Sequence, residues 1–257
     1  MPKTYFVIGS YFGGKRLGLL LDRLDGVPHP DFAVLVNNQC GSERTPSGFT
    51  AIYNPLITAA FADKNCERVW ILGDDVLPQF DCLVNTEEIL KNDPTVGVIF
   101  PVEAWRVPDS IPQTVMPFTG VGINIVSAMQ EGPEQIEQIF AGFACACITH
   151  AAWTAVGPMD ESLGKGYCED MDWGLRCWLA GYRVVNYRRE YFLHERGATY
   201  NQLVADGQFA AQEPYDAGNR LKAKWAGRFK LWESTAEELL ATLKEAYMNA
   251  RQLMVTV

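Results

Sequence analysis

Basic residues are scarce in this chain: 22 Lys and Arg stand against 31 Asp and Glu, a net charge of -9, and only three residues of 257 are His. A broad basic face is lacking, which excludes general nucleic-acid binding but leaves room for a small phosphate pocket. No apolar run approaches the ~20 residues that span a bilayer. The opening MPKTYFVIGS lacks the basic start and apolar core of a signal peptide. A soluble, cytoplasmic protein is the expectation. Seven scattered cysteines include one C-x-C, Cys145 and Cys147, with no second pair at zinc-ligand spacing. They read as buried free thiols in a reducing compartment. Gly13, Gly14 and Lys15 follow the first apolar run without the spacing of a phosphate-binding P-loop, which counts against a P-loop phosphotransferase. Internal repeats, low-complexity tracts and linkers are also lacking, so one domain is expected.

What is present is an alternation. Short apolar runs at 4–10, 31–38, 67–73 and 96–101 read as buried strands. Between them, 14–26, 47–64 and 81–94 carry helical spacing, with Pro55 marking a kink or start in the second. Strand and helix repeated in this way predict a mostly parallel α/β sheet with helices on both faces. The rhythm breaks over 102–120, a long excursion. It resumes with a strand at 120–127, a strand and helix within 140–157, a helix and strand within 168–185, and a helix from 233.

In such sheets ligands bind at the carboxyl ends of the strands. Asp74 and Asp75 sit at one such end, Asn37 and Asn38 at another. Adjacent carboxylates suit a divalent cation, which prefers oxygen ligands. An Asp-Asp before Pro78 is equally a turn or helix cap. Glu169, Asp170 and Asp172 crowd a predicted helix start, where the dipole stabilises acids and holds a carboxylate ionised, as a general base requires.

The ordered series resembles the family 2 glycosyltransferases of GT-A fold. It comprises Asp74-Asp75-Val76, Gly142 to Cys145, Val156 to Glu161, Glu169 to Arg176, Ala180 to Val184, His194 to Gly197 and Lys224 to Gly227. The resemblance spans roughly residues 4–230. It implies a GT-A domain over 1–230, extended by a helical segment at 231–257. It further implies metal-dependent, inverting transfer of a sugar from a nucleotide-sugar donor to a hydroxyl of a glycan or other acceptor. Asp170 would be the base and Glu169 its helper. Asp75 and His194 would hold Mn²⁺ or Mg²⁺, although a solvated His beside Glu195 is the plainer reading of His194 alone. Ser10, Tyr11, Asn37, Asn54 and Asp74 would face the donor. Gly142, Phe143 and Trp173 would face the acceptor. Packing accounts equally for Tyr11 and Trp173, and an Asn-Pro helix break for Asn54. Lys222, Lys224, Arg228 and Lys230 read as a solvated helix face or an anion contact.

Two positions depart from the family pattern. Its turn reads Asp-x-Asp, and Gly73 stands at the first acid. Asn37 replaces an acid after the second strand. Both lie on the nucleoside side, which points to an altered base or ribose contact. Two further readings stay open: a catalytically silent GT-A domain that binds sugar or nucleotide, and a transferase acting on a modified DNA base or a protein. A homo-oligomer is compatible with the sequence.

Overall fold

Thr4–Ser10 forms β1, and every residue in it but one is buried. A strand covered on both faces reads as continuously apolar, unlike one with a wet side. β2 (Phe32–Asn38) and β3 (Arg68–Gly73) flank β1 in parallel, with Gly9 opposite both Asn37 and Gly73. The computed structural model describes residues 3–11, 13–27, 31–39, 48–105, 133–195 and 197–255. The strand expected at 120–127, most of the excursion at 102–120 and Arg196 lie outside them.

β5 (Val96–Trp105), β7 (Cys145–Thr149) and β8 (Arg183–His194) complete the centre. The sheet has eight strands among the described residues, ordered β2-β1-β3-β7-β5-β8-β4, with β4 at Val76–Pro78; β6 (Gln135–Glu137) also pairs with β8. β7 runs antiparallel to both β3 and β5, so β5 points the same way as β3, and β8 is parallel to β5. The carboxyl ends of β1, β2, β3, β5 and β8 therefore lie along one rim.

Successive strand residues face opposite sides. Val7, Val69 and Ile71 join one apolar cluster, while Phe6, Ile8, Trp70 and Leu72 join the other. The first cluster is covered by α2 (Phe49–Ala62), α4 (His150–Val156), α5 (Glu169–Leu179), α7 (Glu213–Trp225) and α8 (Ala236–Val255). The second is covered by α1 (Gly14–Asp25) and α3 (Phe80–Asn92). α6 (Ala198–Ala205) follows β8. The helices thus lie on both faces, as the alternation predicts. Pro55 sits exposed within α2, which continues through it. No helix among the described residues is long and apolar enough to cross a membrane.

α2 comes close to the sheet at the rim. A Cβ on Gly9 would meet Ile52 at 2.9 Å and the Tyr53 ring at 3.0 Å. That approach lets the Tyr53 hydroxyl accept from Gly9 N–H at 3.0 Å and donate to Leu72 C=O at 2.7 Å. The hydroxyl thereby ties together the final turns of β1 and β3, whose next residues form the site.

Candidate functional site

Asp74 and Asp75 leave β3 in opposite directions. Asp74 is 5% exposed, and its Oδ2 accepts a 2.5 Å bond from Ser10 Oγ. Ser10 Oγ in turn accepts Gly13 N–H at 2.9 Å. Burial, aided by the charge of Asp75, pushes the Asp74 carboxyl up against the Ser10 bond. Asp75 instead brings Oδ2 to 3.5 Å from His194 Nε2 at the end of β8. The other imidazole nitrogen, Nδ1, donates to Glu103 Oε1 at 2.5 Å. Burial pulls the imidazole down, but Asp75 and Glu103 outweigh it and hold His194 at about 9. Gly73 makes this arrangement possible: a Cβ there would stand 2.6 Å from Asp75 Oδ1.

Arg16, in the first turn of α1, bonds Glu195 Oε2 through Nε and Nη2, each at 2.9 Å. Glu195 N–H reaches back to Asp75 C=O at 3.0 Å. A guanidinium is thereby tethered beside the acid turn, and its charge is felt at Asp74.

The start of α5 supplies the second pair of acids. Tyr167 and Cys168, at φ 75° and 67°, hold the left-handed conformation that side chains rarely adopt. Strain of this kind collects at functional sites when the surroundings enforce it. Glu169 is 7% exposed, and its Oε2 has no hydrogen-bond partner among the described residues. Burial, then the neighbouring Asp170, raises it to about 8. Asp170 is less buried and accepts Met171 N–H on Oδ1 at 2.7 Å. Tyr11 links the two acid pairs: burial, then the charges of Glu169 and Asp74, push its hydroxyl up.

The helix start is anchored from behind. Asp172, 0% exposed, accepts from Arg176 Nε at 2.8 Å, Lys224 Nζ at 2.7 Å and Trp225 Nε1 at 3.0 Å. The approach loop is fastened too. Arg220 Nε donates to Leu163 C=O at 2.6 Å, Lys165 N–H to Glu213 Oε1 at 2.9 Å, and Phe49 N–H to Lys165 C=O at 2.6 Å.

Ser10, Tyr11, Asp74, Asp75, Glu169, Asp170 and His194 thus gather at the carboxyl rim, with Asn37 one strand away. Gly142 and Phe143 precede β7, beside Gly73, whose N–H bonds Ala144 C=O at 2.9 Å. Three expectations are corrected. Trp173 is 0% exposed and donates Nε1 to Gly157 C=O at 3.0 Å, so it offers no ring face to a sugar. Phe143 packs edge-on to Trp173 in the core. Asn54 spends its amide on both backbone groups of Met159, at 2.9 Å each, which ties α2 to that loop.

Sequence reasoning missed Glu103 and Arg16. Glu103 was findable, since it ends an apolar run at the same rim as Asp74. Nothing in the local pattern marks Arg16.

Among the described residues no group of three or more His, Cys, Asp or Glu is disposed to hold a metal ion. Asp75 and His194 fit as two ligands once the imidazole gives up its Nε2 proton on the metal's arrival. Bonds of about 2.1 Å at right angles place neighbouring donors about 3 Å apart, close to the 3.5 Å observed. Glu103 behind the imidazole is the outer carboxylate that orients such ligands.

The sheet order, with the acid turn after β3 and the acid-rich first turn of α5 on the same rim, is that of the GT-A fold. Among solved structures that share it is GalNAc-T7 with UDP, GalNAc and Mn²⁺, at TM-score 0.55 and 12% identity, covering 76% of this chain and 44% of that one. TarS 1–349 from S. aureus, in complex with UDP-GlcNAc, gives TM-score 0.55 and 14% identity, covering 76% and 59%. The mannosyltransferase PcManGT from Pyrobaculum calidifontis, with GDP-Man and Mn²⁺, gives TM-score 0.50 and 12% identity, covering 97% and 86%. The chain spans less than two thirds of the first two. No protein-family model matches the sequence, and no curated protein matches it.

Proposed function

We propose that the protein is a nucleotide-sugar-dependent glycosyltransferase that inverts the anomeric carbon. The carrying observation is that the Asp75–His194–Glu103 cluster and the acids at the start of α5 stand on one rim of a GT-A sheet, where Tyr11 feels the charges of both Glu169 and Asp74. Solved proteins of this fold hold UDP, UDP-GlcNAc or GDP-Man, two of them with Mn²⁺.

Asp75 and His194 would hold Mn²⁺ or Mg²⁺, which when bound neutralises charge on the departing diphosphate. Arg16, tethered by Glu195 beside the acid turn, would add a positive charge for the same anion. Asp74, held by Ser10, would contact the ribose. Asn37, at the end of β2, meets the base or ribose with a donor as well as an acceptor. Asp170 takes the proton of the acceptor hydroxyl. The new C–O bond forms on one face of the sugar as the bond to the diphosphate breaks on the other. Leu239 and Leu243 of α8 join the apolar cluster that holds α5, which supports reading 231–257 as an extension of the 1–230 domain.

A panel of nucleotide sugars, incubated with Mn²⁺ or Mg²⁺ and assayed for released diphosphate, tests this reading. Turnover that stops on chelation and is abolished by Asp170→Asn with donor still bound is the expected result. Gly73 and Asn37 favour a second reading, a silent sugar- or nucleotide-binding domain; donor binding without turnover under any condition would establish it.

A further inference from the structure

Glu169 is a buried acid to which the proposed chemistry assigns no proton. Its Oε2 is enclosed and receives no hydrogen bond from any described residue. A carboxylate there would carry charge that, beyond a hydrogen bond from its own backbone N–H, is neither solvated nor paired among the described residues, a situation buried groups escape by staying neutral. The titratable groups facing it come from two segments: Tyr11 after β1, and Cys168 and Asp170 at the start of its own helix. None of these is a cation; Arg220, whose charge reaches Cys168, is bonded to Leu163 C=O and Glu213 Oε1, and Asp74 acts on Tyr11. The helix N-terminus favours a negative charge, but Asp170 and Asp172 share the same first turn.

We propose that Glu169 and Asp170 hold one proton between them at neutral pH, seated on Glu169, which makes Glu169 a neutral positioning residue and leaves Asp170 as the charged base. The base assignment rests on the glycosyltransferase reading; the neutrality of Glu169 does not. Two adjacent acids that share a proton divide the roles that one environment would otherwise give both. A neutral Glu169 also removes one negative charge from a rim that already carries Asp74, Asp75, Glu103 and Asp170 and must admit an anionic donor.

The linkage has a definite sign. Between the ordinary Glu range and about 8, the folded protein keeps a proton that the unfolded chain has lost. Stability therefore falls as pH rises through that window and levels off above it. Glu169→Gln mimics the protonated acid and removes the penalty.

Urea denaturation of wild type and E169Q from about pH 4 to about pH 9 reads this directly. E169Q is expected to be the more stable at neutral pH, by a margin that opens with rising pH. A variant no more stable than wild type at any pH overturns the proposal. Carboxyl ¹³C NMR of wild type covers the case in which E169Q fails to fold. One Glu carboxyl still protonated at neutral pH supports the proposal, and none overturns it. In turnover, ionised Glu169 opposes the donor, so wild-type KM for the donor should rise through about pH 8 with kcat changing less. An equal rise in E169Q overturns the proposal. Absence of any wild-type turnover sinks the transferase reading alone and leaves the two protonation measurements to decide.

Discussion

A side chain at position 73 would collide with the carboxylate that faces His194. Gly73→Ala places a Cβ 2.6 Å from Asp75 Oδ1, and Asp75 must turn away. Isothermal titration with Mn²⁺ and a nucleoside diphosphate is expected to show metal-dependent binding weakened about tenfold, the scale of a displaced ligand or its support. Glu103→Gln removes the anion that orients His194, and about 10- to 100-fold weaker Mn²⁺ binding is expected with the fold unchanged. Asp74, Asp75, Glu169, Asp170 and His194 were legible because each sits in a local pattern. The Glu103–His194 contact joins residues 91 apart, and no local pattern encodes it. Trp173 is enclosed for a related reason: which neighbours cover a helix face is decided by the tertiary packing.

α7 shows how one element positions another. The stretch KAKWAGRFK reads as a solvated basic face, and Lys222, Arg228 and Lys230 are indeed exposed. Lys224 and Trp225 instead anchor α5 through Asp172. Asp172→Ala would leave Arg176 only its bond to Val156 C=O, take the partner of Trp225 Nε1 and remove one of the two acids that pair with Lys224. Breaking a buried charge cluster in this way is expected to lower unfolding free energy by about 3–5 kcal/mol in urea denaturation. Gly164, at φ 122°, shows the same dependence in the approach loop. A Cβ there would lie 2.1 Å from Glu213 Oε1 and 2.2 Å from Arg220 Nη2. Gly164→Ala is expected to destabilise by about 1–3 kcal/mol, and limited proteolysis should cut the 160–167 loop faster.

Across the whole molecule, paired carboxylates govern the acid limit of stability. Burial raises Asp160, but Lys224 and Ser162 overcome it and hold the carboxyl at about 2. Asp93 and Glu137 are likewise lowered, against burial, by bonds that include Arg183. For a depressed acid the stabilisation is complete above its unfolded value and is lost as pH falls through the folded one. Thermal melts are therefore expected to fall from about pH 4 towards about pH 2, and more gently in Asp160→Asn. The alternation of strand and helix made the layered sheet legible at this scale. The antiparallel insertion of β7 was not, because a lone apolar strand carries no sign of its direction.

Continuous apolar runs set β1, β2, β3 and the first part of β5 as strands, and acids after them set which rim would be polar. These features depend on burial and periodicity, which neighbouring residues express by themselves. The folded chain alone decided that Tyr53 ties β1 to β3, that Glu103 orients His194, that Trp173 is enclosed, and that Glu169 lies buried beside Asp170. Each depends on contacts between distant segments, and a carboxyl's charge state follows from the solvent and partners those contacts leave it.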